Sequence, residues 1–138
     1  MSVNRTDIIT KVHQWIAYAE DDLRLAQHGL TMSSSCPYRL IAYHAQQCAE
    51  KYLKAYLVFK EIDFPYTHDI RSLFKLCARE WTVELREAER LTPFAITTRY
   101  PGVDKEVTKA EAVRAIDIAS RVQQVVRDAL GKEGFEHS

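Results

Sequence analysis

The spacing of apolar residues constrains this chain more than any other feature, because it follows a helical period almost throughout. From Thr6 to Leu30, apolar residues recur every three or four positions, which is the stripe of an amphipathic helix. The same spacing runs from Pro37 to about Lys60 and again from Thr108 to about Leu130. No segment alternates apolar and polar residues over a useful strand length. The chain is therefore predicted to be all-α.

Residues that favour helix starts precede the helical segments: Asn4 or Thr6, Pro37, Asp69 before a short helix, and Thr108 with Glu111 in capping-box spacing. A further helix is expected from Thr82, with a break or kink near Pro93, which supplies no amide hydrogen. Gly131 and Gly134 are expected to end the last helix and leave a frayed tail. Long helices with short connections predict an up-and-down antiparallel bundle of four main helices plus one short helix.

The length and composition predict one compact domain over residues 1–138, with its core at about 6–130 and the frayed tail at 131–138. The 19 basic and 19 acidic side chains give no net charge, so any nucleotide or RNA site must be local. No apolar run has the length of a signal peptide or a membrane span. The three cysteines show no Cys-x-x-Cys spacing. These features predict a soluble, cytoplasmic protein with reduced thiols that does not act at a membrane.

Four polar residues of the second helical segment share one stripe, because their spacing is three, four and three: His44, Gln47, Lys51 and Lys54. A ligand could bind this stripe. The alternative is a solvated helix face on which Glu50 and Lys54, four residues apart, form a weak ion pair.

Arg39 precedes His44 with four residues between them, which matches the Arg-x(4–6)-His pattern of metal-independent ribonucleases. In that chemistry the histidine acts as a general base and the arginine stabilises phosphate charge. On an ideal helix the two side chains point about 140° apart. A joint site would need Arg39 in a non-helical first turn or in a second copy of the chain. Otherwise both are ordinary helix residues.

Further polar residues fall in predicted loops. His68 lies between Thr67 and Asp69, where a structural hydrogen bond is the simpler role. Arg99 and Tyr100 combine a cation and an aromatic ring suited to phosphate and base contact, or else anchor a loop. The five histidines are scattered without metal-ligand spacing, and no Gly-rich phosphate loop is present. We therefore predict no metal and no cofactor.

The string His44-Ala45-Gln46-Gln47-Cys48-Ala49-Glu50-Lys51-Tyr52-Leu53-Lys54-Ala55 closely resembles the signature of HEPN domains, the higher eukaryotes and prokaryotes nucleotide-binding family. Three other stretches resemble the family in the same order. They are Asp22-Leu23 with Ala26, Pro65-x-Thr67-His68-Asp69-Ile70 with Leu73, and Arg99-Tyr100-Pro101. The resemblance spans about residues 6–130.

The resemblance implies an up-and-down helical bundle, commonly a homodimer, often encoded beside a minimal nucleotidyltransferase as a two-gene toxin and antitoxin module. Some members are ribonucleases, and others lack catalytic residues. In the catalytic members the Arg-x(4–6)-His motif usually lies in a later helix, whereas the match here begins the second helix.

Three functions follow as hypotheses. The first is a nucleotide-binding partner of a nucleotidyltransferase, in which Gln47, Lys51, Lys54 and Arg99 hold phosphate and Tyr100 stacks on a base. The second is a dimeric, metal-independent ribonuclease that uses His44 and Arg39. The third is a non-catalytic dimeric adaptor, in which apolar residues of the first two helices form a dimer or partner interface, among them Trp15, Tyr18, Tyr43 and Tyr56.

Overall fold

The computed structural model describes residues 4–77, 81, 86–91 and 106–136, without the side chains of residues 87, 89 and 90. Its α-helices are α1 (Arg5–Gly29), α2 (Tyr38–Phe59), α3 (Ile70–Phe74) and α4 (Lys109–Lys132), and Arg86–Leu91 forms a 3₁₀ helix. No strand occurs within these ranges. The predicted all-α bundle is confirmed.

Contacts near the helix ends give the directions of the long helices. Arg5 at the start of α1 donates to the carbonyl of Phe59 at the end of α2, 3.2 Å away, so these helices are antiparallel. Arg127 of α4 donates to Glu20 of α1 over 3.0 Å, and the rings of His13 and Phe135 lie 4.7 Å apart. Helix α4 is therefore also antiparallel to α1. Helices α2 and α4 therefore share a direction, as alternate long helices of an up-and-down bundle do.

Helix α2 lies at the centre of the bundle, in contact with α1, α3, α4 and the 3₁₀ helix. Small side chains on several of its faces let the neighbouring backbones approach closely. These residues are fully buried: Ala42, Ala45, Cys48, Ala49 and Ala55. Contacts with these four elements therefore bury several faces of α2.

The predicted helix starts agree with the observed caps. Asn4 accepts a hydrogen bond from the Thr6 amide at 2.8 Å, and Asp69 accepts one from the Arg71 amide at 3.0 Å. Thr108 and Glu111 form the complete capping box. Each cap satisfies an amide that has no carbonyl partner in the first turn. Among the described helices, none has the length and apolarity needed to cross a membrane.

The C-terminal segment differs from the frayed tail predicted from residue 131. Gly131 lies inside α4, and Gly134 adopts φ 90°, a left-handed conformation that glycine accepts at no steric cost. The chain turns there and returns Phe135 to the core, where its side chain is buried and its ring contacts Phe59. The predicted helix start at Thr82 and the kink near Pro93 lie outside the described residues.

Candidate functional site

A carboxylate of α1 binds two basic side chains of α2. Asp22 Oδ1 lies 2.9 Å from His44 Nδ1, and its Oδ2 lies 2.6 Å from Lys51 Nζ. His44 and Lys51 are seven residues apart, two helical turns, so they project from the same face of α2 toward α1. We call these three residues the Asp22 cluster.

The Asp22 cluster is buried at its acidic centre and open at its basic edges. The Asp22 side chain is 12% exposed, whereas those of His44 and Lys51 are 27% and 23% exposed. A carboxylate only accepts hydrogen bonds, so Nδ1 of His44 carries the donated proton. Neutral His44 then presents an unprotonated Nε2, which has no hydrogen-bond partner among the described residues. The cluster thus offers one proton acceptor beside one ammonium group.

Cys48 lies on α2 between His44 and Lys51 and is fully buried. Burial raises the pKa of its thiol well above the usual range, and the negative charge of Asp22 raises it further. The thiol therefore stays protonated at physiological pH. Because the thiolate is the nucleophilic form, Cys48 is not a nucleophile for the neighbouring cluster.

A second polar cluster is buried one helical turn farther along α2. Glu50 lies 2.9 Å from Lys54 Nζ, 2.8 Å from His68 Nδ1 and 3.1 Å from the Gln46 side-chain amide. Gln46 also donates to the backbone carbonyl of His68. We call these four residues the Glu50 cluster. It joins α2 to the segment that leads into α3.

The charges of the Glu50 cluster are hidden from solvent. The side chains of Glu50 and Lys54 are only 2% and 6% exposed. The Lys54 ammonium also lies 5.5 Å from the ring centre of Trp15 and 5.9 Å from that of Phe64, within cation–π range. The Lys54 ammonium is therefore enclosed by a carboxylate and aromatic rings.

These contacts show which residues of the polar stripe on α2 reach solvent. Gln47 and Lys54 are buried, at 7% and 5% exposure, and Gln47 donates to the Gln46 side chain. The face is therefore solvated only in part, and the Glu50–Lys54 pair is a buried one. Of the stripe predicted to hold phosphate, only His44 and Lys51 reach the surface, because the other two positions pack against neighbouring elements.

Of the remaining predicted site residues, only Arg39 falls within the part of the chain that the structure describes. Arg39 is exposed and lies in the helical first turn of α2, so within one chain the helix directs it about 140° away from His44. The non-helical first turn that would join them does not form. Arg99 and Tyr100 lie outside the described residues. Among the described residues, no three His, Cys, Asp or Glu side chains converge as a metal site would require.

An apolar groove lies beside the Asp22 cluster, where the end of α1 meets the start of α2. It encloses about 220 Å³ and is lined chiefly by Leu25, Met32, Pro37, Leu40, Ile41 and His44. Gly29 lies at the helix contact, since a Cβ placed there would come within 2.9 Å of the Ile41 side chain. His44 therefore belongs to both the groove and the cluster.

Sequence reasoning did not identify Asp22 and Glu50 as centres of these clusters, although both carried a signal. Asp22 follows Ala19 by three residues and precedes Ala26 by four, on the buried face of α1. Glu50 lies four residues from Gln46 and Lys54, on a helix that is buried on most sides. A carboxylate at a position where the helical period requires an apolar residue indicates a buried partner.

Comparison with known proteins agrees with this architecture. The HEPN domain model matches residues 12–129. The chain is 28% identical over 134 residues to MJ1304, a candidate toxin of Methanocaldococcus jannaschii, and the match covers 84% of this chain and 86% of the relative.

Two crystal structures are similar to the fold. TT1696 from Thermus thermophilus has a TM-score of 0.72 at 27% identity, covering 86% of this chain and 97% of its own. ST0689, an archaeal HEPN homologue, has a TM-score of 0.68 at 30% identity, with the same coverage of both chains. The family match, the sequence relative and the helical architecture agree, and the chain belongs to the HEPN domain family.

Proposed function

We propose that this chain is the nucleotide-binding component of a two-gene, toxin–antitoxin-like module and that it binds phosphate at the Asp22 cluster. The observation that carries the proposal is that Asp22 holds both Lys51 and His44 at a partly exposed edge between α1 and α2. The likeness to a candidate toxin and membership of the HEPN family support the cellular role.

The chemistry of the cluster suits a phosphate. An ammonium group has three N–H donors. Lys51 donates one of them to Asp22, so two remain for phosphate oxygens. Hydrogen bonds between charged groups are the stronger class. His44, which contacts the other oxygen of Asp22, supplies a second nitrogen at the same edge.

A titration with adenosine monophosphate tests this binding. Lys51→Met should weaken binding about tenfold through the loss of a charge-assisted contact, and Lys51→Arg should restore part of it. Lys109→Met, which removes an exposed lysine of α4, is the matched control. Equal affinities of the wild type and Lys51→Met, with both proteins folded, would contradict the proposal.

The two-gene part of the proposal rests on the resemblance and needs its own test. Coexpression with the product of the adjacent reading frame should give a stable complex with a minimal nucleotidyltransferase. A gene neighbourhood without a nucleotidyltransferase, or two proteins that elute separately, would count against this partner.

The Asp22–His44 hydrogen bond favours a second candidate, metal-independent cleavage of RNA. Nε2 of His44 would take the proton of a ribose 2′-hydroxyl, whose oxygen then attacks the neighbouring phosphorus while the bond to the 5′-oxygen breaks and that oxygen takes a proton from water. Asp22 would stabilise the imidazolium that forms, as a carboxylate does in other Asp–His pairs. Because Arg39 points away from His44 within one chain, phosphate stabilisation by Arg39 requires a homodimer.

Cleavage of total RNA in the presence of a chelator tests this candidate. His44→Ala should lower the rate at least about 100-fold, whereas Gln124→Ala, a substitution at an exposed position of α4, should not. Light scattering at micromolar concentration should show the dimer that Arg39 requires. No cleavage by the wild type would leave nucleotide binding as the function. Cleavage that survives in His44→Ala would assign the activity to another residue or to a contaminant.

A further inference from the structure

We propose that the apolar groove beside His44 is a nucleobase subsite, in which the base of a bound nucleotide lies against Leu25, Met32 and Leu40 while its phosphate contacts Lys51 and His44. This inference rests on the proposed phosphate site and names the class of ligand that the site takes, a nucleoside monophosphate or a single nucleotide of RNA.

Continuity between the groove and the cluster is the first argument. His44 lines the groove and also hydrogen bonds to Asp22, whose second oxygen binds Lys51. A ligand that contacts the cluster therefore reaches the groove without crossing another element. A nucleotide has a charged phosphate at one end and a flat, weakly polar base at the other. These two ends match the Asp22 cluster and the apolar groove beside it.

The lining of the groove is the second argument. Of its nine residues, only His28 and His44 carry nitrogen or oxygen in their side chains. Leu25, Met32 and Leu40 are 54%, 50% and 39% exposed and line one groove, and a contiguous exposed apolar patch is more typical of a binding site than single exposed residues are. A thioether packs favourably against aromatic rings, and its flexible chain adapts to different ring shapes. The groove is thus suited to the face of a base.

The volume of the groove supports a small occupant. About 220 Å³ is below the usual range for sites that enclose drug-sized ligands, so the groove fits one ring system. Its lining supplies few hydrogen-bonding groups for base edges, and base identity is read mainly by such groups. We therefore expect all four nucleoside monophosphates to bind with affinities within about fivefold of one another.

The test compares ligands with and without a base. Adenosine monophosphate should bind about tenfold more tightly than ribose 5-phosphate, because stacking removes apolar surface from water. The double variant Leu25→Ser with Met32→Ser should remove this difference and leave the affinity for ribose 5-phosphate unchanged. Both side chains are largely exposed, so the fold should tolerate the change. Val113→Ser, at an exposed apolar position of α4, is the matched control.

The binding measurements distinguish failure of the phosphate site from failure of the base subsite. If neither ligand binds, the proposed phosphate site is wrong. If both bind equally well to the wild type, the phosphate site stands and the base subsite is wrong. If the double variant changes the oligomeric state by light scattering and leaves nucleotide affinity intact, the groove is an interface between copies of the chain. That outcome would also overturn the proposal.

Discussion

Nδ1 of His68 lies 2.8 Å from Oε1 of Glu50 and joins the segment before α3 to the middle of α2. Lys54 binds the other Glu50 oxygen. A buried carboxylate is costly unless its oxygens are hydrogen bonded, and here they bind an ammonium group, an imidazole and an amide. The Glu50 cluster therefore fixes the position of the loop after α2 through a fully partnered charge.

Substitution of Glu50 by Ala should lower the free energy of unfolding by about 3–5 kcal/mol, because the Lys54 ammonium would remain buried without its counter-charge. Urea denaturation followed by circular dichroism measures this loss. The control is Asp21→Ala, which removes an exposed carboxylate whose ion pair with Arg24 is worth little. The double variant Glu50→Leu with Lys54→Met should recover part of the stability. A loss no larger than that of Asp21→Ala would show that the cluster does not need its carboxylate.

Two helical glycines should respond in opposite directions to substitution by Ala. At Gly29 the new Cβ would meet Ile41 Cγ1 at 2.9 Å in the contact between α1 and α2. At Gly131 no atom lies within 4 Å of the new Cβ. We expect Gly29→Ala to lose about 1 kcal/mol, since overpacking outweighs the gain in helix propensity. Gly131→Ala should gain about 0.5–1 kcal/mol. Thermal unfolding of both variants checks the signs, and a gain at Gly29 would show that Ile41 moves aside easily.

The helices could be predicted from the sequence because their signals are local. The apolar period of α1, the Asn4 cap and the Thr108–Glu111 capping box each depend on residues within one or two helical turns. Local patterns of this kind survive in the folded protein whenever packing agrees with them. The bundle forms because the apolar stripes of several helices are buried against one another.

The site could be predicted only in part, because its contacts depend on how far α1 is shifted along α2. Asp22 and His44 lie 22 residues apart on different helices, and nothing local to either residue specifies their contact. Burial of Lys54 under Trp15 likewise depends on packing between helices. The sequence showed that Lys51 and Lys54 share a face of α2, but only tertiary packing decides which of them reaches solvent.

The position of Phe135, after the end of α4, also could not be predicted from local sequence. Two glycines near a chain end favour a helix stop, and that local signal predicted a frayed tail. The turn at Gly134 instead directs an aromatic side chain against His13 and Phe59. The apolar area that Phe135 buries stabilises a segment whose local sequence favours disorder.

The capping box of α4 should have a measurable effect on stability. Thr108→Ala removes the hydroxyl that accepts from the Glu111 amide at 3.1 Å, so we expect a loss of about 1 kcal/mol in urea denaturation. Thr10→Ala is the control, because that exposed hydroxyl only donates to a carbonyl of its own helix, which contributes little. Equal effects of the two substitutions would mean that the start of α4 is held by other contacts.

The alkaline stability of the bundle should depend on Tyr52. Its hydroxyl accepts a hydrogen bond from Gln123 at 3.0 Å and lies 3.3 Å from the Glu20 carboxylate. Burial, with a smaller effect from the Glu20 charge, raises the pKa of Tyr52 to about 12. In the unfolded chain a tyrosine ionises near pH 10. Between these values the folded state binds more protons than the unfolded state, so stability falls as the pH rises.

Removing the hydroxyl of Tyr52 should therefore flatten the pH dependence. Urea denaturation between pH 9 and about 11.5 should show a steeper loss for the wild type than for Tyr52→Phe. Tyr18→Phe, at a position that is 58% exposed, should keep the slope of the wild type. Because both variants retain the buried thiols, whose ionisation also destabilises the fold at high pH, the difference in slope isolates Tyr52. If all three slopes coincide, the Tyr52 hydroxyl ionises as readily in the folded state as in the unfolded one.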